Sequence, residues 1–189
     1  WRKLPNPNDW QVTPETARLL QYWRNPDNFN YLRPFFCQIE AVEVAIYLIE
    51  VAEKRGKNGK KFLEHIKSVN EGANSGLMRL ALKMATGSGK TTVMAMLIAW
   101  QTVNAVRQPQ SKKFTRGFLI VTPGLTVRDR LRVLQPNDPD SIYRAFEIVP
   151  NDMLSDLERS KIIITNYHAF KLRETTELST GGRALLKGK

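Results

Sequence analysis

One run of residues carries the clearest chemical signal in the chain: Met84-Ala85-Thr86-Gly87-Ser88-Gly89-Lys90-Thr91-Thr92. Gly87 and Gly89 lack a Cβ, so the backbone there can take positive φ and wrap closely round an oxyanion. Successive N–H groups then converge as an anion nest, reinforced by the positive end of a following helix. Lys90 would reach the β- and γ-phosphates of a nucleoside triphosphate as a point charge and is the catalytic candidate. Thr91 would offer its hydroxyl to Mg²⁺. The residues Thr86, Gly87, Ser88, Gly89, Lys90, Thr91 and Thr92 together are read as the nucleotide-binding loop, with ATP and Mg²⁺ as its ligands.

A strand before the loop and a helix after it must position such a cradle. Met78, Leu80, Leu82 and Met84 alternate along a short run that predicts the strand, and Val93 to Val106 predicts the helix. Upstream, Pro5 to Asp9 reads as an irregular lead-in, and Thr13-Pro14-Glu15 as a helix start with Thr13 as cap. That helix is expected to stop near Asn25-Pro26. From Pro34 to Lys54, Phe35, Ile39, Val42, Ile46 and Ile49 repeat at helical spacing as one apolar stripe, with Glu40, Glu43, Glu50 and Glu53 on other faces. Arg55 to Lys61 reads as a basic loop, solvated or touching DNA, followed by a short helix from Phe62 to Val69 and a turn at Asn74-Ser75-Gly76.

Downstream, Gly117 to Thr122 reads as a strand buried on both faces, Leu125 to Leu134 as a helix bearing Arg128, Arg130 and Arg132, and Gln135 to Asp140 as a loop. Tyr143 to Val149 is expected to be a short strand, Lys161 to Thr165 another apolar strand, and Gly181-Gly182 a turn. This order predicts an α/β fold, a doubly wound parallel sheet flanked by helices. Residues 1–76 are read as an N-terminal helical segment and 77–189 as the nucleotide-binding lobe.

The balance of 29 Lys and Arg against 18 Asp and Glu gives a net charge of +11. A surplus of that size favours polyanionic partners, nucleic acid first. Cys37 is the only cysteine, so neither an internal disulfide nor a cysteine-based metal cluster is open to the chain. It is read as a small core residue. His168 has no second His or acid nearby and is not read as a metal ligand. No apolar run is long enough to span a membrane. A reducing, cytoplasmic setting is the expectation, as is a chain that is part of a longer protein, since it begins at Trp1.

Three further stretches line up with the loop: Arg33-Pro34-Phe35-Phe36-Cys37-Gln38, Val121-Thr122-Pro123-Gly124-Leu125, and Ile164-Thr165-Asn166-Tyr167-His168. Together they resemble superfamily 2 helicases of the DEAD/DEAH-box type, specifically the helicase subunit of type III restriction enzymes. The resemblance implies a RecA-like lobe. Met84 stands where the strict loop pattern has Gly, a position that many helicase-type ATPases relax. Gln38 falls where such helicases place a Gln that looks at adenine, whose N6/N7 edge an amide can match by donating and accepting at once. Phe35 or Phe36 could pack against the base, although each by itself reads as core. Thr122, Pro123 and Gly124 look like the family's motif Ia, which with Thr165 and Asn166 holds the sugar-phosphate backbone of one strand. Arg128 would add charge or simply face solvent.

The resemblance also implies an adjacent Asp-Glu pair, the Asp orienting Mg²⁺ and the Glu activating water. No such pair occurs in this sequence. The 189 residues are therefore expected to bind nucleotide weakly without turning it over. DNA is favoured over RNA as partner, and a methyltransferase or nuclease partner fits the resemblance. Two rivals remain: a P-loop kinase or phosphotransferase, which would not call for the upstream Gln, and a non-catalytic nucleic-acid-binding module, which leaves Gly-Lys-Thr unexplained. A GTPase is disfavoured because no Asn-Lys-x-Asp guanine reader is present.

Overall fold

The computed structural model describes residues 1–170; the expected turn at Gly181-Gly182 lies outside them. Helix α1, Pro14–Arg24, begins as its sequence dictates: the Thr13 side chain accepts the Thr16 N–H, and Pro14 occupies the first turn. It ends at Asn25, ahead of Pro26. Helix α2, Phe36–Ile46, runs into a π-helical turn, Tyr47–Val51, and then a 3-10 turn, Ala52–Lys54. Helix α3, Gly56–Ala73, absorbs all but Arg55 of the basic stretch that the sequence assigns to a loop. Gly56, at φ +61°, makes the reversal, and Gly59 lets α3 approach the Ala52 carbonyl where any Cβ would collide.

The phosphate-type loop leads into α4, Lys90–Arg107, the longest buried element. Strand β1, Gly117–Thr122, is followed by α5, Leu125–Arg130, and a 3-10 turn, Leu131–Leu134. Short helical turns α6, Ile142–Ala145, and α7, Leu154–Leu157, precede strand β2, Lys161–Asn166. The strands β1 and β2 pair in parallel, with Gly117 opposite Lys161 and Thr122 opposite Asn166. The fold is thus mixed helix and strand, with a two-stranded parallel sheet flanked by helices.

One core joins these elements. Leu19, Leu20 and Trp23 of α1, Val42 and Ile46 of α2, and Val93, Met96 and Trp100 of α4 meet in it. The inner face of the sheet, Phe118, Ile120 and Ile162, packs against the same cluster. The outer face does not: Leu119, Val121 and Ile163 are exposed, so β1 is covered on one side, not two.

Other expectations give way for physical reasons. The run from Met78 to Met84 sends Leu82 and Met84 to the core but forms no strand. Alternation supplies a face, whereas a strand also needs a ladder, and β1 and β2 pair only with each other among the described residues. Tyr143 to Val149 is not a strand either. Glu147 has φ +50°, and Ile148 N–H donates to the Tyr143 carbonyl, folding the apolar run into a compact loop.

Along α2 the stripe is out of phase at both ends. Val42 and Ile46 are buried, but Phe35, Phe36 and Cys37, the last expected in the core, are exposed because nothing among the described residues covers the first turn. At the far end the π turn inserts an extra residue per turn and rotates the helix, so Glu50 and Val51 face inward and Ile49 outward.

Burial of Glu50 and Glu43 has a specific structural use. Glu50 accepts from the Thr13 N–H at 2.8 Å, the Thr16 hydroxyl at 2.6 Å and the Trp100 indole N–H at 2.7 Å. Asn104 joins the network through Thr16. Glu43 pairs with Arg2 and Arg24, and the Arg24 guanidinium lies 4.6 Å above the Trp10 ring. Both carboxylates fasten the N-terminal segment to the core.

Candidate nucleotide site

Gly87 and Gly89 adopt φ of +78° and +77°, the left-handed conformation expected of the loop. Gly89 is the residue from which α4 starts, so Lys90 and Thr91 open its first turn. Val93 N–H already bonds to the Gly89 carbonyl. The N–H groups of Gly87, Gly89, Lys90 and Thr91 make no hydrogen bond among the described residues. Free main-chain donors at the start of an 18-residue helix are the donor set an anion needs,.

The loop is held from within. Ala85 C=O accepts from the Ser88 hydroxyl at 2.7 Å and from Lys90 Nζ at 2.7 Å. Lys90 is exposed, so its ammonium can exchange that carbonyl for a phosphate oxygen without being dug out of the core.

It is also held from outside, by Gln38. The side chain is only 4% exposed. Its Oε1 accepts the Phe35 N–H at 2.9 Å, closing the start of α2, and its Nε2 donates to the Ser88 carbonyl at 2.9 Å. A primary amide has two N–H donors and two acceptor lone pairs, so capacity for a ligand edge remains. Gln38, Phe35, Gly89 and Thr92 line a cleft of about 210 Å³, completed by Leu32, Arg33, Pro34, Phe146 and Ile148. The expected nucleotide residues are therefore brought together, and the exposure of Phe35 puts its ring on this cleft instead of in the core.

Phe146 and Ile148 were not marked by any motif. They lie far along the chain from Gln38, in the loop that the sequence suggests is a strand, and spacing offers no sign of them. The same holds for the fastening of this wall. The Glu147 carboxylate accepts the Asn30 N–H at 2.8 Å and also the Asn30 side-chain amide. The Ile148 carbonyl accepts the Trp23 indole N–H at 2.7 Å. Burial, with the Glu147 charge second, pushes the Tyr22 phenol above its ordinary value. Its ring packs 5.3 Å from Phe29, just before Asn30.

The residues expected to meet nucleic acid form a second group, at the carboxyl ends of the paired strands. Thr122 is buried, and its single hydroxyl proton is shared between the Gly124 carbonyl at 3.0 Å and the Thr165 carbonyl at 3.2 Å,. It therefore ties the two loops level with each other instead of reaching outward. Asn166 Oδ1 accepts the Ala169 N–H. Pro123 is exposed, and Thr165 and Gly124 are half-buried. Arg128 turns to Asp129 at 2.9 Å, a neighbouring charge pair at the surface.

Among the described residues no helix is long and apolar enough to cross a membrane. Residues 33–185 match the family model described as type III restriction enzyme, res subunit. Neither a curated protein nor a solved structure matches the chain.

Proposed function

The chain belongs to the type III restriction enzyme res-subunit family, and from that premise we propose that it is the ATP-binding part of an ATP-dependent DNA helicase or translocase. One observation supports this above the others: Gln38, in the base-sized cleft, is bonded to Ser88, in the phosphate-type loop. Kinases of the P-loop class have no need of that link, and neither has a passive nucleic-acid module.

In this reading the N–H groups of Gly87, Gly89, Lys90 and Thr91 bind the phosphate oxygens, and Lys90 neutralises the β/γ end. Thr91 is the metal-side hydroxyl, and Mg²⁺, when bound, offsets charge on the triphosphate. Gln38 and Phe35 hold the base. Pro123, Gly124, Thr165 and Asn166 grip one DNA strand through contacts that carry no sequence information. The triphosphate loop and the DNA loops are fixed to one core, since α4 and the inner face of the sheet pack together. A shift at one site is thereby mechanically felt at the other. Turnover by these residues alone is not part of the proposal, because the sequence has no adjacent Asp-Glu pair.

Equilibrium titration with ATP and GTP tests the reading. ATP should bind more tightly than GTP, Lys90→Ala should abolish binding of both, and Gln38→Ala should erase the preference. DNA affinity should fall steeply with salt. ATP binding untouched by Lys90→Ala would sink the proposal.

A further inference from the structure

The wall of the cleft made by Phe146 belongs to no motif, and its geometry has a cost that packing alone does not explain. Glu147 is a non-glycine residue at φ +50°. That conformation is disfavoured for an L-residue because its Cβ crowds the backbone carbonyl, and such strain persists where surrounding contacts over-determine it, characteristically at ligand sites. Here the contacts are visible. Both Asn30 donors converge on the Glu147 carboxylate, and the next residue is pinned on both sides, Ile148 N–H to Tyr143 and Ile148 C=O to Trp23. The strained residue thus staples the segment before Leu32 to the segment bearing Phe146, the two pieces of chain that flank the cleft.

What the staple holds is a cavity of about 210 Å³ whose walls include two phenyl rings, Phe35 and Phe146, and whose polar groups include the Gln38 amide. Pockets for whole drug-sized ligands usually start at about 300 Å³. The space suits one planar ring system with an edge to be hydrogen-bonded, the sugar and phosphates lying outside it along the Gly89 loop. A phenyl ring exposed by 36% at the cleft gains most by covering a flat π-face,.

We propose that Phe146 contacts the nucleotide base and helps set base affinity, and that Glu147, through Asn30, is the positioning residue that holds this wall in place. The proposal rests on the reading that the Gln38 cleft takes the base. Phe146 lies over the base, while the Glu147 carboxylate touches only protein.

The experiment compares ATP with inorganic tripolyphosphate, which has the phosphates but no base, on the full-length protein. Phe146→Ala should weaken ATP roughly tenfold, in line with loss of an aromatic contact and its buried area, and leave tripolyphosphate unchanged. Phe146→Tyr should restore ATP. Glu147→Ala should lower the ratio of ATP to tripolyphosphate affinity, and Glu147→Gln, which keeps an acceptor for Asn30, should recover much of it. An equal loss for both ligands would overturn the proposal, since it marks damage to the scaffold. So would unchanged ATP affinity in Phe146→Ala beside a clear loss in Gln38→Ala, an outcome that spares the base site itself. If Gln38→Ala and Phe146→Ala both leave ATP binding intact, the base-site reading falls too.

Discussion

Gln38 occupies the space that a side chain at position 89 would need: its Nε2 sits 2.9 Å from the Ser88 carbonyl, and a Cβ on Gly89 would overlap it. Glycine at 89 is thus required twice, once for its backbone angle and once for its neighbour.

Gly87 has only the first requirement, because a Cβ there meets open space. Gly87→Ala should therefore cost about 1–2 kcal/mol, the left-handed penalty alone. Gly89→Ala should cost clearly more by thermal or urea unfolding, because Gln38 must also be displaced. Equal losses would show that the contact with Gln38 carries no weight.

Glu50 accepts from three donors and donates to none. The isosteric Glu50→Gln change puts an NH₂ against one of those donors, so it should destabilise by about 1–3 kcal/mol. Glu50→Ala, which strands the Thr13 N–H and leaves the Trp100 indole only its 3.1 Å bond to the Thr16 hydroxyl, should cost more. Urea denaturation of both variants reads this directly, and a neutral Glu50→Gln would refute the network as drawn.

Tyr143 presents the opposite case. Its hydroxyl is buried with no partner among the described residues, and burial pushes its ionisation far above the ordinary tyrosine value. Removing the oxygen relieves an unmet desolvation cost. Tyr143→Phe should raise unfolding stability by about 1 kcal/mol, with the melting temperature as readout; a loss of stability would reveal a partner for that hydroxyl.

Asp152 forms a bidentate pair with Arg18, each N–O distance 2.6 Å, and this hydrogen bonding holds its carboxyl below the ordinary 3.8. A depressed carboxylate contributes stability that is full above its unfolded value and lost as pH falls through its folded value. Asp152→Asn should thus melt earlier than the parent near neutrality, and the gap should close below pH 3.8. The effect should be small, because both partners are about half exposed,. A gap that persists in acid would mean that the pair acts through packing.

The elements that local chemistry decides were legible in the sequence. Thr13-Pro14 marks the start of α1, the glycines mark the loop, and the runs at Gly117 and Lys161 mark β1 and β2. What stayed hidden depends on partners remote in sequence. Helical spacing groups Phe35 with Val42, but only the neighbouring elements decide that one end of that stripe is covered and the other is not. Glu43 and Glu50 look like solvent-facing charges until Arg2, Arg24, Thr16 and Trp100 arrive to meet them. Of the site, the loop and Gln38 could be read in advance. The Phe146 wall could not, because a positive φ at a glutamate leaves no trace in composition or spacing.

The indole of Trp23 reaching the carbonyl of Ile148, with Asn30 on Glu147, has a practical corollary. Both Trp23 and Asn30 precede residue 33, where the family match begins. A boundary drawn by kinship therefore cuts these two ties away from the Phe146 wall, and an expression clone trimmed to it would lose them while keeping every recognisable motif.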